Sequence, residues 1–294
     1  MESYQAHLLR DGLAFGEAPR WHEGRLWYSD FYRHAIYSTD DHAVNERLEV
    51  TVPHQPSGLG WLSNGDLLFV SMTDQQVMRR HDDASVLFCD ISPYCRFWAN
   101  DMVVSPSGYA YVGNFGFDLD IMLRTMGPEG MIKTPPPTTN LVVLDATGAV
   151  MQVIPDMDFP NGSVITADGA TLVVAETIKY RLSAFDIATD GTLSNRRVWA
   201  QLDFVAADGI CLDGDGEIWV ANALARQCVR VKEGGEITAV VTTSDYAYAC
   251  MLGGTDRRRL FVMTAPTSDR FKIADAFVGK IEAADVEVPG AGWP

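Results

Sequence analysis

The segment PNGSVITADGATLVVAET, from Pro160 to Thr177, is one of six similar segments in this chain. In it a polar residue, Asn161, opens a short apolar run, and a second apolar run follows the Asp-Gly pair at Asp168. An Asp-Gly pair between apolar runs is a strong hairpin signal, because these residues accept positive φ at little cost. The other five segments are GEAPRWHEGRLWYSD from Gly16, PSGLGWLSNGDLLFVSM from Pro56, ANDMVVSPSGYAYVGN from Ala99, ADGICLDGDGEIWVAN from Ala207 and ACMLGGTDRRRLFVMT from Ala249.

The spacing of the six segments predicts the fold. Their opening residues are 40, 43, 61, 47 and 42 positions apart, in the order Glu17, Ser57, Asn100, Asn161, Asp208 and Cys250. Repeats of this length with paired strands are typical of β-propeller blades. Strand-like runs between the segments allow four strands per repeat, and no long run has convincing helical periodicity. We therefore expect an all-β, six-bladed β-propeller that forms a single domain over residues 1–294.

Charge and composition narrow the possible partners. The chain has 294 residues and a formal net charge of −16. Nucleic acids and anionic membranes bind basic surfaces, so we expect neither of them as a partner. No run approaches the roughly 18 apolar residues that a membrane helix needs. The first residues lack the basic and apolar regions of a secretory signal. Five scattered cysteines without a CxxC pair fit buried thiols in a reduced, cytoplasmic setting.

The 61-residue spacing marks an insertion in the third repeat. It comprises FGFDLDIMLRTMGPEGMIKTPPPTT, from Phe115 to Thr139. Three consecutive prolines and a Gly-Pro step predict a loop. Its apolar content is high for a segment exposed only to water, and two roles stay open. The segment is either a lid over one face of the propeller, at about residues 116–139, or a packing arm on the outside.

Four of the six opening residues carry oxygen ligands for a metal ion. In a closed ring the openers meet near the central channel, where the carboxylates of Glu17 and Asp208 would balance a dication. The amides of Asn100 and Asn161 add neutral oxygens. This donor set favours calcium, although zinc, manganese and iron also bind oxygen-rich sites. All six histidines lie in the first 81 residues without metal-site spacing, and no G-x-S-x-G motif is present, which argues against a zinc protease or a serine hydrolase.

Each of these residues also has a structural explanation when it is considered alone. Asn161-Gly162 and Asp208-Gly209 are common turn pairs, Asn100 is suited to capping a turn, and Glu17 to the surface. The shared register is what favours the metal site, because all four residues stand at the same place in their repeats, just before the inner strand.

The same segments resemble those of the SMP-30/gluconolactonase/luciferin-regenerating-enzyme family. The resemblance rests on GEAPRW from Gly16, AND from Ala99, FPNG from Phe159 and ADG from Ala207, and it covers nearly the whole chain, including VPGAG from Val288. The family consists of calcium-dependent, six-bladed propeller hydrolases. The resemblance therefore implies the same fold and a divalent metal near the top of the central channel.

The resemblance also implies roles for individual residues. The residues matching Glu17, Asn161 and Asp208 hold the metal, and Asp208 is the candidate general base or nucleophile. In gluconolactonases the match to Asn100 contacts substrate or metal-bound water, whereas in diisopropyl-fluorophosphatase it is itself a ligand. Asp101 would support the metal-binding residues from outside the ligand set and would lie close to the substrate.

The chain departs from the family pattern at three points. Arg96 stands four residues before Asn100 rather than two, so a sugar-binding role does not transfer to it. Phe115 and its neighbours replace an acidic residue, and an aromatic entrance suits a flatter, less hydroxylated ring, because buried sugar hydroxyls need hydrogen-bond partners. Cys211 stands where a second, structural calcium would need an acidic ligand.

These residues lead to one functional hypothesis and two alternatives. The first is a metal-dependent lactonase, a carboxylic-ester hydrolase, in which the metal polarises the lactone carbonyl and Asp208 handles the proton. The second is hydrolysis of organophosphates or other activated esters at the same metal. The third is a non-enzymatic propeller in which the metal only stabilises the fold.

Overall fold

The computed structural model describes residues 1–293, apart from the side chains of residues 128, 129 and 132; the last residue of the expected domain, 294, lies outside the described residues. The strands of the first half are β1 (Glu2–Gln5), β2 (His7–Leu13), β3 (Gly16–His22), β4 (Arg25–Asp30), β5 (Ala35–Thr39), β6 (Arg47–Thr51), β7 (Pro56–Trp61), β8 (Leu67–Ser71), β9 (Gln76–His81), β10 (Ala84–Asp90), β11 (Ala99–Val104), β12 (Ala110–Asn114), β13 (Thr139–Leu144) and β14 (Val150–Met157). Those of the second half are β15 (Pro160–Ile165), β16 (Thr171–Glu176), β17 (Arg181–Ile187), β18 (Leu193–Gln201), β19 (Ala207–Leu212), β20 (Ile218–Asn222), β21 (Gln227–Val231), β22 (Ile237–Thr242), β23 (Tyr246–Gly253), β24 (Arg259–Ala265) and β25 (Gly279–Asp285). Two α-helices, α1 (Leu119–Lys133) and α2 (Arg270–Ile273), and two 3-10 turns, Ser92–Tyr94 and Thr177–Lys179, lie between strands.

The strands form six sheets, which we number as blades 1 to 6 by their innermost strands β3, β7, β11, β15, β19 and β23. Each inner strand pairs with the next strand in antiparallel register. Consecutive inner strands pack side by side, and β23 packs against β3, so the ring is closed. The predicted all-β, six-bladed β-propeller is thus confirmed. No helix in the described part of the chain has the length and apolar character to cross a bilayer.

The N-terminal strands close the ring, which the repeat pattern did not reveal. Strand β2 pairs with β25 and becomes the outer strand of blade 6, whose other strands come from the end of the chain. Strand β1 adds to blade 5 in parallel with β22. Strands from both ends of the chain therefore pair in the last two blades. This pairing closes the ring and covers the outer edges of β22 and β25, which would otherwise be unpaired.

The inner strands approach one another so closely that glycine is required between them. A Cβ atom at Gly162 would lie 2.6 Å from the carbonyl oxygen of Asp208, and one at Gly209 would lie 2.6 Å from the Cα atom of Ala249. Gly58 faces the backbone of Met102 in the same way. These glycines lie within strands rather than in turns, so the interpretation of the Asx-Gly pairs as turns is wrong.

The inner strands of blades 2 to 5 also share a bulge at the opening residue. In β15, Pro160 faces Glu176 and Ser163 faces Val174, so three steps along the inner strand match two along its partner. The same slip occurs in β7, β11 and β19. A bulge redirects the side chains at the extra position, and such bulges are common beside functional sites.

The insertion after β12 is largely helical, so the expectation of a loop was wrong over α1. The side chain of Asp118 caps the helix by accepting a hydrogen bond from the backbone nitrogen of Ile121. The Gly-Pro step bends the helix instead of preventing it, since Gly127 adopts φ 66° and ψ 174° between two helical segments. The three consecutive prolines follow the helix.

The C-terminal segment packs against blades 5 and 6. The backbone nitrogens of Gly214 and Ala291 donate to the carbonyls of Pro289 and Leu212, at 2.8 and 2.9 Å. Gly292 and Trp293 share a small cavity with Ser163 and Ile210, which lie two residues beyond the openers of blades 4 and 5. The tail therefore packs farther along the channel than the opening residues do.

We expect Gly58→Ala to lower the free energy of unfolding by about 1–3 kcal/mol, because the added methyl group meets backbone that cannot move aside. Gly214→Ala is the matched control, since its Cβ would lie 3.4 Å from the nearest atom. Chemical denaturation of both variants measures the difference. Equal stability of the two variants would contradict the close-packing argument.

Candidate functional site

All four residues with candidate metal-binding oxygens line one cavity of about 370 Å³. Glu17, Asn100, Asn161 and Asp208 come from blades 1, 3, 4 and 5, and each stands near the start of its inner strand. The cavity therefore lies at the end of the channel where the inner strands begin. The structure thus brings the four side chains to one place.

Hydrogen bonds fix the orientation of the two amides. Asn100 donates from Nδ2 to Oδ1 of Asn161 at 3.1 Å, and its own Oδ1 accepts from the hydroxyl of Ser57 at 3.3 Å. Asn161 donates from Nδ2 to Oγ1 of Thr177 at 3.2 Å. Thr177 in turn donates to the carbonyl of Ala207, next to Asp208, at 2.7 Å. This series of contacts connects blades 2, 3, 4 and 5 around the cavity.

Both carboxylates of the site have raised pKa values. Burial contributes most to the raised pKa of Glu17, followed by the charges of Asp208 and Asp101. Burial and the charge of Asp101 also raise the pKa of Asp208, and a hydrogen bond from Asn161 offsets part of that rise. Two acids at one cavity thus repel each other, which favours a positive ligand between them.

A buried ion pair lies beside this pair of acids. Arg20 donates from Nη2 to Oδ1 of Asp101 at 3.0 Å and to the carbonyl of Met102 at 2.6 Å, and from Nη1 to the carbonyl of Pro19 at 2.8 Å. Both charged side chains are less than a tenth exposed. Arg20 thereby balances the charge of Asp101 and joins blade 1 to blade 3.

The donor set fits one hard dication. Among the described residues, no lysine or arginine forms an ion pair with Glu17 or Asp208, so neither acid has a cationic partner. The same part of the chain contains no group of three or more His, Cys, Asp or Glu side chains placed to hold a metal. The further oxygens available for a site in this cavity are those of Asn100 and Asn161, and such a donor set suits calcium better than zinc.

The remaining residues singled out from the sequence take different positions. Phe115 lines the cavity, with its ring 4.7 Å from that of Phe159. Asp101 is held by Arg20 outside the cavity wall, and Arg96 is exposed and also outside it. Cys211 is buried with its sulfur 3.8 Å from that of Cys250. The binding roles of these residues stay predictions.

Sequence reasoning missed most of the cavity wall, although the repeat register contains it. In every blade the residue two positions before the opener lines the cavity: these are Phe15, Gln55, Trp98, Phe159, Ala206 and Tyr248. A second set stands just after the second strand of five blades, namely Phe31, Met72, Phe115, Thr177 and Ala223. Most of these side chains are aromatic or aliphatic, so the wall above the acids is mainly apolar.

Helix α1 forms part of the same wall. Leu119, Leu123 and Met131 line the cavity from the helix. Arg270 holds the start of the helix, donating to both carboxylate oxygens of Asp118 at 2.9 Å and to Asp120 at 3.0 Å. The insertion therefore covers the cavity, and whether it opens as a lid stays a prediction.

A family model described as the SMP-30/Gluconolactonase/LRE-like region matches residues 15–266. Among individual proteins, the regucalcin of Xenopus laevis is 24% identical over 271 residues, which cover 88% of this chain and 85% of the relative. The regucalcin of Bos taurus is also 24% identical, over 278 residues with the same coverage.

Solved structures share the fold. A regucalcin from Agrobacterium tumefaciens, described as a calcium-binding protein, superposes with a TM-score of 0.79 and 19% identity over 100% of this chain and 97% of that one. A gluconolactonase from Xanthomonas campestris gives a TM-score of 0.73 and 20% identity, covering 96% and 89%. At these identities the superpositions establish the fold alone.

We expect Arg20→Met to destabilise the protein by about 3–5 kcal/mol, because it leaves the buried carboxylate of Asp101 without a partner. The double variant Arg20→Met/Asp101→Asn should recover much of this loss, since it removes the unpaired charge. Lys272→Met, which breaks a 3.3 Å pair between an exposed lysine and Asp269, is the control and should change stability little. Urea denaturation compares the three; no recovery in the double variant would refute the charge argument.

Proposed function

The chain belongs to the SMP-30/gluconolactonase/LRE-like family, and we propose that it is a metal-dependent hydrolase that opens lactones. The single observation that carries the proposal is the pair of acids, Glu17 and Asp208, which face one cavity without a cationic partner among the described residues. A non-enzymatic metal site would not need the adjoining cavity of about 370 Å³, which is large enough for a small organic ligand.

Glu17, Asn100, Asn161 and Asp208 would hold one divalent ion, with calcium favoured. Four hard oxygen donors support this assignment, as does the similarity to the Agrobacterium regucalcin, which is described as a calcium-binding protein. When bound, the ion would polarise the lactone carbonyl and stabilise the negative charge that develops on its oxygen.

Asp208 is the proposed general base. Its carboxylate would accept a proton from the attacking water, whose oxygen forms a bond to the carbonyl carbon. The bond from that carbon to the ring oxygen then breaks, and Asp208 would return the proton to the leaving alkoxide. The product is a hydroxy acid, and water is the only co-reactant.

Neighbouring residues would position the reactants. The amide of Asn100 is held by Ser57 and Asn161 and would orient the substrate or the water that attacks it. Phe115 would contact the substrate ring from the cavity wall. Asp101, fixed by Arg20, would support the site through its charge. We further propose that the protein is cytoplasmic and that a small lactone is its only partner.

We expect Asp208→Asn to lower kcat on any accepted lactone by at least about 100-fold, because the amide cannot accept the proton. Chelation of the wild-type protein should abolish the same activity. Circular dichroism and the unfolding midpoint, both measured without calcium, should stay near those of wild type, and Asp83→Asn, at a fully exposed acid, serves as the control. Full lactone turnover by Asp208→Asn would refute the assignment.

We expect calcium to raise the melting temperature by about 5 °C at a hundredfold excess over its dissociation constant. In Glu17→Gln the shift should fall to near zero, since one of two balancing charges is lost. Differential scanning calorimetry with and without calcium measures both. A full calcium shift together with no hydrolysis of lactones or phosphotriesters would instead favour the non-enzymatic alternative.

A further inference from the structure

Several polar groups of the cavity wall are used by contacts within the protein. The hydroxyl of Thr177 accepts from Asn161 and donates to Ala207. Asp120 and Arg270 are paired with each other at 3.0 Å. These contacts leave Thr177, Asp120 and Arg270 less available to a substrate with several hydroxyl groups.

The apolar part of the wall is extensive and closely packed. Phe115 and Phe159 pack with their ring centres 4.7 Å apart, and Phe97 stacks on Trp98 at 4.8 Å. Helix α1 packs in one cluster with Phe115 and Phe159 and contributes further aliphatic surface to the wall, including Leu123. Aromatic walls of this kind bind planar or aliphatic groups, because burying apolar surface is favourable and ring stacking adds to it.

The anchoring of α1 keeps this apolar surface in place. Arg270 joins Asp118 and Asp120 of the insertion, and its guanidinium lies 5.1 Å from the ring centre of Trp98. Arg124 of the helix lies 4.2 Å from the ring centre of Phe271 beside it. The helix is thus attached to blade 6 through contacts that do not involve Glu17 or Asp208.

We propose that the substrate is a lactone carrying an apolar substituent, aromatic or alkyl, and not a polyhydroxylated sugar lactone. The inference rests on the proposed lactonase function and specifies its substrate class. The lactone carbonyl is directed to the four oxygen-bearing residues, and the substituent lies against the apolar wall that the aromatic rings and α1 form together. Each sugar hydroxyl buried against this wall would lose its hydrogen bonds to water without replacement.

Three six-membered lactones test the inference: δ-valerolactone, its δ-phenyl derivative and D-glucono-δ-lactone. With each rate divided by that of spontaneous hydrolysis, we expect kcat/KM for the phenyl derivative to exceed that of the parent by about 10–100-fold. The sugar lactone should be the poorest of the three. A preference for the sugar lactone would overturn the inference while leaving the lactonase proposal intact.

Binding gives a readout that does not depend on turnover. We expect the phenyl-substituted δ-valerolactam to bind the calcium-loaded protein at least about 10-fold more tightly than the corresponding sugar lactam, by isothermal titration calorimetry. If no lactone is hydrolysed but this preference holds, the lactonase proposal fails and the apolar ligand class stands. Equal binding, or tighter binding of the sugar lactam, would overturn the inference.

Two variants of α1 locate the substituent. Leu123→Ala, on the cavity wall, should lower the ratio of kcat/KM for the phenyl lactone over the parent lactone by about 10-fold. Met126→Ala removes an exposed side chain of the same helix that is not on the wall, and should leave both rates unchanged. The same ratio in the two variants would place the substituent elsewhere and overturn the assignment.

Discussion

Close packing of neighbouring inner strands is the constraint on which this structure depends. At Gly58, Gly162 and Gly209 no side chain fits, because the next strand occupies the space where a Cβ atom would lie. This closeness brings residues that are far apart in the sequence to one cavity. It also forces Glu17 and Asp208 near each other, where burial and mutual repulsion raise the pKa of Glu17. The close packing that closes the ring therefore also places two acids where a bound cation is favourable.

The repeat register made much of this predictable. Glu17, Asn100, Asn161 and Asp208 were identified because each stands at the same place in its repeat, and the fold requires equivalent positions to face one channel. The following glycines were harder to interpret, because a turn glycine and a close-approach glycine look identical in a sequence. The aromatic wall could in principle be predicted from the same register, because its residues stand two positions before each opening residue. In the sequence, however, hydrophobic residues at these positions look the same as ordinary core residues.

Other features depend on tertiary contacts that no local pattern reveals. Pairing of β2 with β25 joins the two ends of the chain, and neither strand signals its partner. Helix α1 escaped detection because a Gly-Pro step and nearby prolines suggested a loop, whereas its cap at Asp118 is also bound by Arg270, 152 positions away. Arg20 likewise lies 81 positions from Asp101, so their ion pair becomes visible only in the folded ring.

The charges at the channel form a simple balance. Arg20 neutralises Asp101, and two carboxylates are left for an external cation.

The most direct test of this account is anomalous diffraction from crystals of the protein soaked with calcium. The account predicts one strong peak in contact with oxygens of Glu17, Asn100, Asn161 and Asp208. An empty position there, with calcium bound elsewhere or not at all, would contradict it.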